Sequence, residues 1–293
     1  MNYRTDLAID RVEYISGEIK GIRKTERRTN NTKTTVIDIL DENGEKAVGK
    51  PVGKYITVEM SGLMKDGSIE DDCLFEVIRC INELLPKTNG TVLVAGVGNP
   101  DITSDALGPA FCDRVFSTRH IDENMKKLSG LTSKLRSVCC VSTDVLGKTG
   151  IESAEYIKFI KNGVNPDFII TVDALCSTDI KRLGTTVQLS NTGVSPGSGV
   201  MNSRMKIDEE CMGVPVIAIG VPTVVSALTV SKNIFGSEAE ININDENREY
   251  LQMIVTPKDI DMLIKNASFL LSVAVNCALQ QSLSPGDIIS LIS

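Results

Sequence analysis

Four short and nearly uninterrupted apolar runs constrain the fold of this 293-residue chain more than any other feature. Such runs are typical of strands whose two faces are both covered, as in the parallel sheets of α/β proteins. Segments with the helical spacing of apolar residues separate several of them. The sequence therefore predicts an α/β fold in which helices flank a mostly parallel sheet. The four runs are Thr91–Gly98, Ser137–Ser142, Asp167–Val172 and Val214–Gly220.

Apolar spacing also predicts the helices, and the N-terminal part of the chain predicts a small accessory β region. The accessory region spans about residues 18–60 and holds two β-rich segments, Thr34–Leu40 and Lys54–Glu59, joined by turn-forming residues at 41–44. We expect it to form a separate hairpin layer. The helices are expected at about residues 71–85, 106–117, 153–161, 223–230 and 257–281.

Basic residues cluster in the accessory region. Between Lys20 and Lys33 the chain carries six basic side chains and one acid, Glu26. A solvated edge strand protected by charge fits this pattern. An electrostatic landing site for an acidic partner fits it as well, and the sequence leaves both interpretations open.

Composition excludes several classes of function. A net charge of −7, 4% aromatic residues and the absence of Trp argue against nucleic-acid binding, so no direct nucleic-acid partner is predicted. The eight cysteines include no C-x-x-C pair, which argues against a zinc site or a disulfide scaffold and favours a reducing cytoplasm. The polar first ten residues predict no secretion. Residues 212–231 are uncharged but interrupted by Pro and Gly, so we expect a core strand followed by a helix and no membrane partner.

Acidic residues follow the predicted strands at the points where they end. Asp101 and Asp105 follow the first run, Asp144 follows the second, and Asp173 follows the third. The carboxyl ends of strands in open α/β sheets are where ligands bind, so several carboxylates are expected to converge on one rim. When two carboxylates are held close, one keeps its proton as a general acid while the other activates water.

A structural role is the alternative for each of these acids. Asp at the end of a strand is also a common helix N-cap, and Asp105 directly precedes a predicted helix. Asp101 and Asp144 fit capping or surface solvation better than chemistry. Asp173 differs, because it follows a β-branched core segment in which an unpaired carboxylate would be costly to bury.

Two other motifs carry weaker signals. Residues 193–197 match the G-x-S-x-G nucleophile elbow by letters, but the only His in the chain, His120, lies upstream of the Ser, whereas that fold needs it downstream. Residues 195–204 form a Gly/Ser-rich loop with an Arg. This loop is suited to holding a peptide backbone or a carboxylate, and it is equally suited to being a flexible connector.

Matching segments over most of the chain, in one order, carry a resemblance to a known family. They are Arg4–Ala8, Gly96–Asn99, Asp105–Pro109, Thr118–His120, Gly147–Glu152, Asn165–Ile170, Asp173–Leu175, Pro196–Val200, Pro215–Gly220, Pro222–Val225 and Val255–Lys258. In these segments the sequence resembles the germination proteases of endospore-forming bacteria. The resemblance implies an atypical aspartic endopeptidase without a metal or other cofactor, in a fold similar to that of hydrogenase maturation proteases.

The resemblance also implies the site residues. The catalytic pair of the family maps onto Asp105 and Asp173. Gly98, Asn99 and Asp144 are expected to bind substrate or to form the site. Three residues of the Gly/Ser-rich loop are expected to do the same: Gly197, Ser198 and Gly199.

Substrate, location and activation follow from the same resemblance. It implies a homotetramer in the cytoplasm of the forespore and spore core that begins the degradation of small acid-soluble spore proteins during germination. It also implies a zymogen that cuts itself as the pH falls, here between Asp6 and Leu7, with residues 1–6 as propeptide and 7–293 as a single peptidase domain. A proton gained by paired carboxylates at lower pH would explain the acid trigger.

Three departures from the family pattern stand out. The segment before Asp6 and the segment between Val230 and Val255 are both short, and Ser195 stands where the family pattern leads us to expect His. None of these affects Asp105 or Asp173. A metal-dependent peptidase on the same fold and a non-catalytic binder of spore proteins remain as alternatives.

Overall fold

The computed structural model describes residues 5–15, 17, 19–60, 63, 71–121, 135–197, 204–236, 249–250 and 253–293. The strands are β1 (Ile22–Arg28), β2 (Thr32–Ile39), β3 (Gly53–Met60), β4 (Val92–Gly96), β5 (Val138–Ser142), β6 (Phe168–Ser177), β7 (Thr186–Ser190), β8 (Val216–Ser226) and β9 (Ile254–Val255). The helices are α1 (Ala8–Glu13), α2 (Glu42–Val48), α3 (Asp71–Leu84), α4 (Leu107–Cys112), α5 (Leu146–Thr149), α6 (Ser153–Val164), α7 (Glu209–Met212), α8 (Ala227–Phe235), α9 (Ile260–Leu279) and α10 (Pro285–Ile292).

All these strands belong to one sheet. Its order is β1-β2-β3-β7-β8-β6-β4-β5, and the short β9 pairs with β8. The four strands predicted from the apolar runs, β4, β5, β6 and β8, are mutually parallel. The α/β fold with a large sheet flanked by helices is therefore confirmed. The sheet as a whole is mixed, whereas a mostly parallel one was predicted, because β1, β2, β3, β7 and β9 join it through antiparallel pairings.

The accessory region extends this sheet, whereas a separate layer was expected. β1, β2 and β3 pair with one another in antiparallel fashion, and β3 pairs with β7 over five residues. The backbone hydrogen bonds of β3 on that side are thereby satisfied by the main sheet. β1 forms the exposed edge, and two of its basic side chains form ion pairs, Arg23 with Asp38 and Arg27 with Glu76. The interpretation as an edge strand protected by charge is confirmed.

Three predicted elements differ from the structure. A helix was expected at 223–230, but α8 begins only at Ala227. β8 continues through Ser226, because its β-branched residues pair with the end of β6. The turn expected at 41–44 is instead the start of α2, where the Asp41 side chain accepts hydrogen bonds from the backbone of Asn43 and Gly44. The helix expected at 106–117 is α4, which ends at Cys112.

The helices cover the two faces of the sheet unequally. On one face α3 and α9 pack together over the apolar residues of β4, β6, β7 and β8. α9 is long and apolar enough to cross a membrane by length and composition, and 78% of its most apolar stretch is buried inside the molecule. On the other face, one cluster forms under α6 and contains Ile169 of β6, and a second forms under α1 and contains Leu175 of β6. Because side chains alternate along a strand, Asp173 faces the same side between these two clusters.

Candidate active site

The candidate site forms where β4 ends and β6 continues. The last pair between these strands joins Gly96 to Val172, whereas β6 extends to Ser177 and stays paired with β8 on its other side. The chain leaving β4 fills the open edge, and its Val97 N–H donates to the carbonyl of Val172 at 2.8 Å. An edge of this kind, at the carboxyl end of a parallel strand, is where open α/β sheets bind ligands.

Asp105 closes the 3-10 turn Thr103–Asp105 in the loop after β4. Its carboxylate accepts a hydrogen bond from the backbone N–H of Asn99 at 3.0 Å. The Oγ1 of Thr223 in β8 donates to the carbonyl of Ser104 at 2.7 Å, which fixes the turn to the sheet. Burial raises the pKa of Asp105 to about 6, against the lowering effects of the Asn99 N–H and of the positive charge of Arg204.

Asp173 lies in β6 and is 6% exposed. Its Oδ1 accepts a hydrogen bond from the backbone N–H of Ala174 at 2.9 Å. Burial, followed by the negative charges of Asp105 and Asp6, raises the pKa of Asp173 well above its ordinary value of 3.8. The buried Asp173 therefore holds a proton over a pH range in which exposed carboxyls are ionised.

Asp105 and Asp173 line one cavity of about 200 Å³, and Asp6 lines it with them. Arg204 is a fourth charged residue of the wall, and its Nε is buried and has no hydrogen-bond partner among the residues that the structure describes. Two neighbouring carboxyls can share one proton, so that one is protonated and the other ionised. Beside a cation, such a pair can carry out acid–base chemistry on a polarised carbonyl group. The apolar wall includes Val97, Ile102, Val145, Val224 and Ile254.

The other predicted site residues fall into three groups. Gly98 and Gly197 line the cavity, and Asn99 contacts Asp105 through its backbone. Ser198 and Gly199 lie outside the described residues. Gly98 has a φ of +136°, and a Cβ there would come within 2.0 Å of the Asp105 carbonyl oxygen, so glycine is needed for the loop to close on Asp105.

Asp144 occupies a different environment. Its carboxylate pairs with Lys148 at 2.8 Å, and the same Lys148 pairs with Asp101. The hydrogen bond from Lys148 holds the pKa of Asp144 below its ordinary value. Among the residues that line the cavity in the described parts of the chain, Asp144 is absent, although its neighbour Val145 is present. The structure thus gives it a surface ion pair.

The predicted processing site passes directly beside the cavity. Asp6 forms two hydrogen bonds with the backbone of Cys176 in β6, both at 2.9 Å. Its backbone N–H donates to the Cys176 carbonyl, and its side-chain carboxylate accepts from the Cys176 N–H. Leu7 is fully buried in the cluster under α1. The Asp6–Leu7 peptide is therefore held on the open edge of the strand that carries Asp173.

Sequence reasoning did not assign a role to Arg204. It stands at the end of the Gly/Ser-rich loop, which the sequence left open as a binding loop or a connector. The signal was an Arg in a loop otherwise suited to backbone donors, but only the fold shows that this Arg faces two carboxyls.

No cluster of three or more His, Cys, Asp or Glu side chains in the described parts of the chain is arranged to hold a metal ion. No disulfide joins any of the eight cysteines, all of which lie in the described parts of the chain, and four of them are buried.

Comparisons with known proteins place the chain in a family. The family described as Germination protease matches residues 5–236. A germination protease of Caldanaerobacter subterraneus subsp. tengcongensis is 42% identical, with 100% of this chain and 98% of that protein covered. A germination protease of Clostridium tetani is 37% identical, with both chains covered completely.

Among solved structures, the chain is similar to the [NiFe] hydrogenase maturation protease HycI from Thermococcus kodakarensis KOD1. The TM-score is 0.33 and the identity 12%, over 67% of this chain and 98% of that one. A similarity this distant carries no argument about activity. The full-length matches to curated relatives do, and the chain therefore belongs to the germination protease family and is a protease.

Proposed function

We propose that this protease is an aspartic-type endopeptidase whose catalytic pair is Asp105 and Asp173. The observation that carries the proposal is the shared cavity, into which a loop after β4 and the strand β6 each bring a carboxyl with a raised pKa. Carboxyls are costly to keep in such surroundings, and strongly perturbed pairs in a cleft are typical of acid–base catalysis.

The two carboxyls take different roles. Asp173 is the more deeply buried and keeps the shared proton, so it serves as general acid. Asp105 ionises first and serves as general base. Asp105 takes a proton from water, the water oxygen bonds to the peptide carbon, the carbon–nitrogen bond breaks, and Asp173 gives its proton to the departing nitrogen.

The substrates we propose are small acid-soluble spore proteins, cut at the start of germination in the spore core. The support is the name of the curated relatives, which are germination proteases over the full length of this chain. A homotetrameric assembly is proposed on the same family ground.

We also propose that the chain is made as a zymogen that cuts its own Asp6–Leu7 bond. The support is the position of Asp6, which lines the cavity beside both carboxyls and whose charge is one cause of the raised pKa of Asp173. The pair reaches its singly protonated, active form as the pH falls through the higher of its two pKa values, which supports an acid trigger. The rate is expected to fall again below the pKa of Asp105, at about 6.

The test is incubation of the full chain with a small acid-soluble spore protein, with intact-mass analysis of the substrate and of the enzyme's own N-terminus. We expect Asp105→Asn and Asp173→Asn to lose cutting in both by at least about 10³-fold. Asp38→Asn is the matched control, because Asp38 lies on β2 and pairs with Arg23 in the accessory part of the sheet.

The same experiment separates the alternatives. Wild-type rates in either Asp105→Asn or Asp173→Asn would remove that residue from the chemistry. Loss of activity on adding a chelator would favour a metal-dependent peptidase. Binding of the spore protein without any cutting by the wild-type chain would favour a non-catalytic binder.

A further inference from the structure

The side chain of Gln188 forms hydrogen bonds with the backbone on both sides of the Asp6–Leu7 bond. Its Nε2 donates to the carbonyl oxygen of Asp6 at 2.9 Å, and its Oε1 accepts from the N–H of Ala8 at 2.8 Å. Gln188 is 8% exposed. The amide has only one orientation that satisfies both bonds, because reversing it would set a donor against Ala8 N–H and an acceptor against the Asp6 carbonyl.

The sheet places Gln188 and Asp173 on the same face. Gln188 of β7 lies opposite Gly220 of β8, and Gly220 lies opposite Asp173 of β6. Residues opposite one another across a sheet project from the same face, and two strand spacings separate Gln188 from Asp173 by about 10 Å between Cα atoms. The residue between them on β8 is Gly220, and the side chain of Leu175 packs over it. Gln188 lines a neighbouring cavity, and Asp6 lines both this cavity and the one that holds Asp105 and Asp173.

The peptide between Asp6 and Leu7 is held at its other end as well. The N–H of Leu7 donates to Oγ1 of Thr5 at 3.0 Å, and Thr5 Oγ1 in turn donates to Asp10 at 2.6 Å. Both the carbonyl oxygen and the nitrogen of this one peptide are therefore engaged by side chains.

We propose that Gln188 is a further catalytic residue for the self-processing cut, as the donor that stabilises the oxyanion formed on Asp6; this rests on the function proposed above. When water adds to the carbonyl carbon of Asp6, the carbonyl oxygen gains negative charge while one water proton passes to Asp105. The Nε2–H of Gln188 already points at that oxygen. As the oxyanion collapses, the bond to the Leu7 nitrogen breaks and Asp173 supplies the proton to that nitrogen, which leaves a carboxylic acid on Asp6 and an amine on Leu7.

The experiment follows the appearance of the chain beginning at Leu7 by intact mass, starting from full-length protein. Gln188→Met keeps the size of the side chain and removes the donor, and we expect its cutting rate to fall about 10²- to 10³-fold. Gln280→Met is the matched control. Gln280 is 1% exposed, and its amide likewise bridges backbone groups, the N–H and carbonyl of Arg136, in a part of the molecule outside the cavity lining. We expect it to cut itself at the wild-type rate.

A second variant separates a donor from a merely structural clamp. In Gln188→Glu the ionised side chain still accepts from Ala8 N–H but cannot donate to Asp6, and it regains a donor when it is protonated. We expect the ratio of the Gln188→Glu rate to the Gln188→Met rate to rise at least about tenfold from neutral to mildly acidic pH. Thermal unfolding of each variant, measured beside Gln280→Met, reports any loss of folding.

The outcomes are distinct. If Asp173→Asn stays uncut and Gln188→Met cuts at the wild-type rate, the role of Gln188 is overturned while the proposed function stands. A pH-independent ratio between the two Gln188 variants would also overturn the donor role. If Asp173→Asn itself cuts at the wild-type rate, the proposed function fails first.

Discussion

Asp105 and Asp173 keep carboxyl groups where ionisation is costly. Burial is the largest cause of the raised pKa of each, and the negative charges of Asp105 and Asp6 add to it for Asp173. Arg204 opposes both shifts without forming a hydrogen bond through its Nε in the described parts of the chain. Burying these carboxyls thus lowers the stability of the fold at neutral pH and keeps one proton available at the site. Such a cost in stability is common in active sites.

Because ionisation of the buried carboxyls destabilises the fold, replacing either one with a neutral side chain should raise stability in a pH-dependent way. An acid whose pKa is raised in the folded state stabilises the fold below its unfolded pKa of about 4, and that contribution is lost as the pH rises through the folded pKa. The folded pKa is about 6 for Asp105 and is raised well above 3.8 for Asp173. We expect Asp105→Asn and Asp173→Asn to unfold with a free energy higher than wild type by on the order of 1–3 kcal/mol at neutral pH. The difference should shrink toward pH 4 in urea denaturation series.

Asp144→Asn serves as the control of opposite sign. The pKa of Asp144 is lowered by Lys148, so its contribution to stability exists above the unfolded pKa and disappears as the pH falls. We expect this variant to be less stable than wild type at neutral pH and equal to it in acid. A pH-independent effect of the three substitutions would contradict the burial of the two cavity carboxyls.

At the scale of elements, α1 is anchored through one buried carboxylate. Asp10 accepts hydrogen bonds from Thr5 Oγ1 at 2.6 Å, Ser177 Oγ at 3.0 Å and the Thr178 N–H at 2.8 Å, and it also pairs with Arg182. These contacts tie the N-terminal segment to the end of β6 on both sides of the Asp6–Leu7 bond. The buried ion pair therefore orients the Asp6–Leu7 bond, the proposed processing site, because neither charge is stable there without the other.

Removing Arg182 should expose this dependence. Arg182 is 4% exposed, and Arg182→Met would leave the buried carboxylate of Asp10 without its ion-pair partner. We expect a loss of about 3–5 kcal/mol in the free energy of unfolding, measured in urea. Arg23→Met is the comparison, because Arg23 is exposed and its pair with Asp38 should contribute about 0–1 kcal/mol. Equal effects of the two substitutions would show that α1 is not held through Asp10.

At the scale of the whole molecule, the accessory strands and the parallel strands share one hydrogen-bonded sheet. β3 and β7 are paired from Tyr55 opposite Ser190 to Glu59 opposite Thr186. The helix α3 packs across the same region and contacts β2, β3 and β7. Two units joined by both a strand pair and a common helix have no boundary at which few contacts cross, so we expect them to unfold together.

Calorimetry tests this expectation on residues 7–293. We expect one transition whose calorimetric enthalpy equals the van't Hoff enthalpy. Ile37→Ala, which removes a fully buried side chain of β2, should lower the midpoint of that single transition without splitting it. An earlier separate transition, with loss of hydrogen-exchange protection confined to β1–β3, would show that the accessory region is a unit of its own.

The sequence by itself determined the secondary structure of the core and the identity of the two acids. Apolar runs are a local property, and β4, β5, β6 and β8 lie where they predicted. Asp101, Asp105, Asp144 and Asp173 all follow such runs, the family resemblance singled out Asp105 and Asp173, and both of these line the cavity. The family resemblance added the protease activity, which the full-length relatives confirm.

Only the tertiary structure decided which side chains meet at the site. Asp144 follows a predicted strand just as Asp173 does, yet Lys148, four residues later, holds it in a surface ion pair. Arg204 reaches the cavity and Gln188 reaches the Asp6 carbonyl from elements far along the chain, and nothing in their local sequence indicates that they do. The reason is physical. Whether a segment forms a strand or a helix depends on neighbours within a few residues. The cavity, the closeness of its two carboxyls and the contact of the Gln188 amide with Asp6 depend instead on distances between segments, which only the order of the strands in the sheet sets.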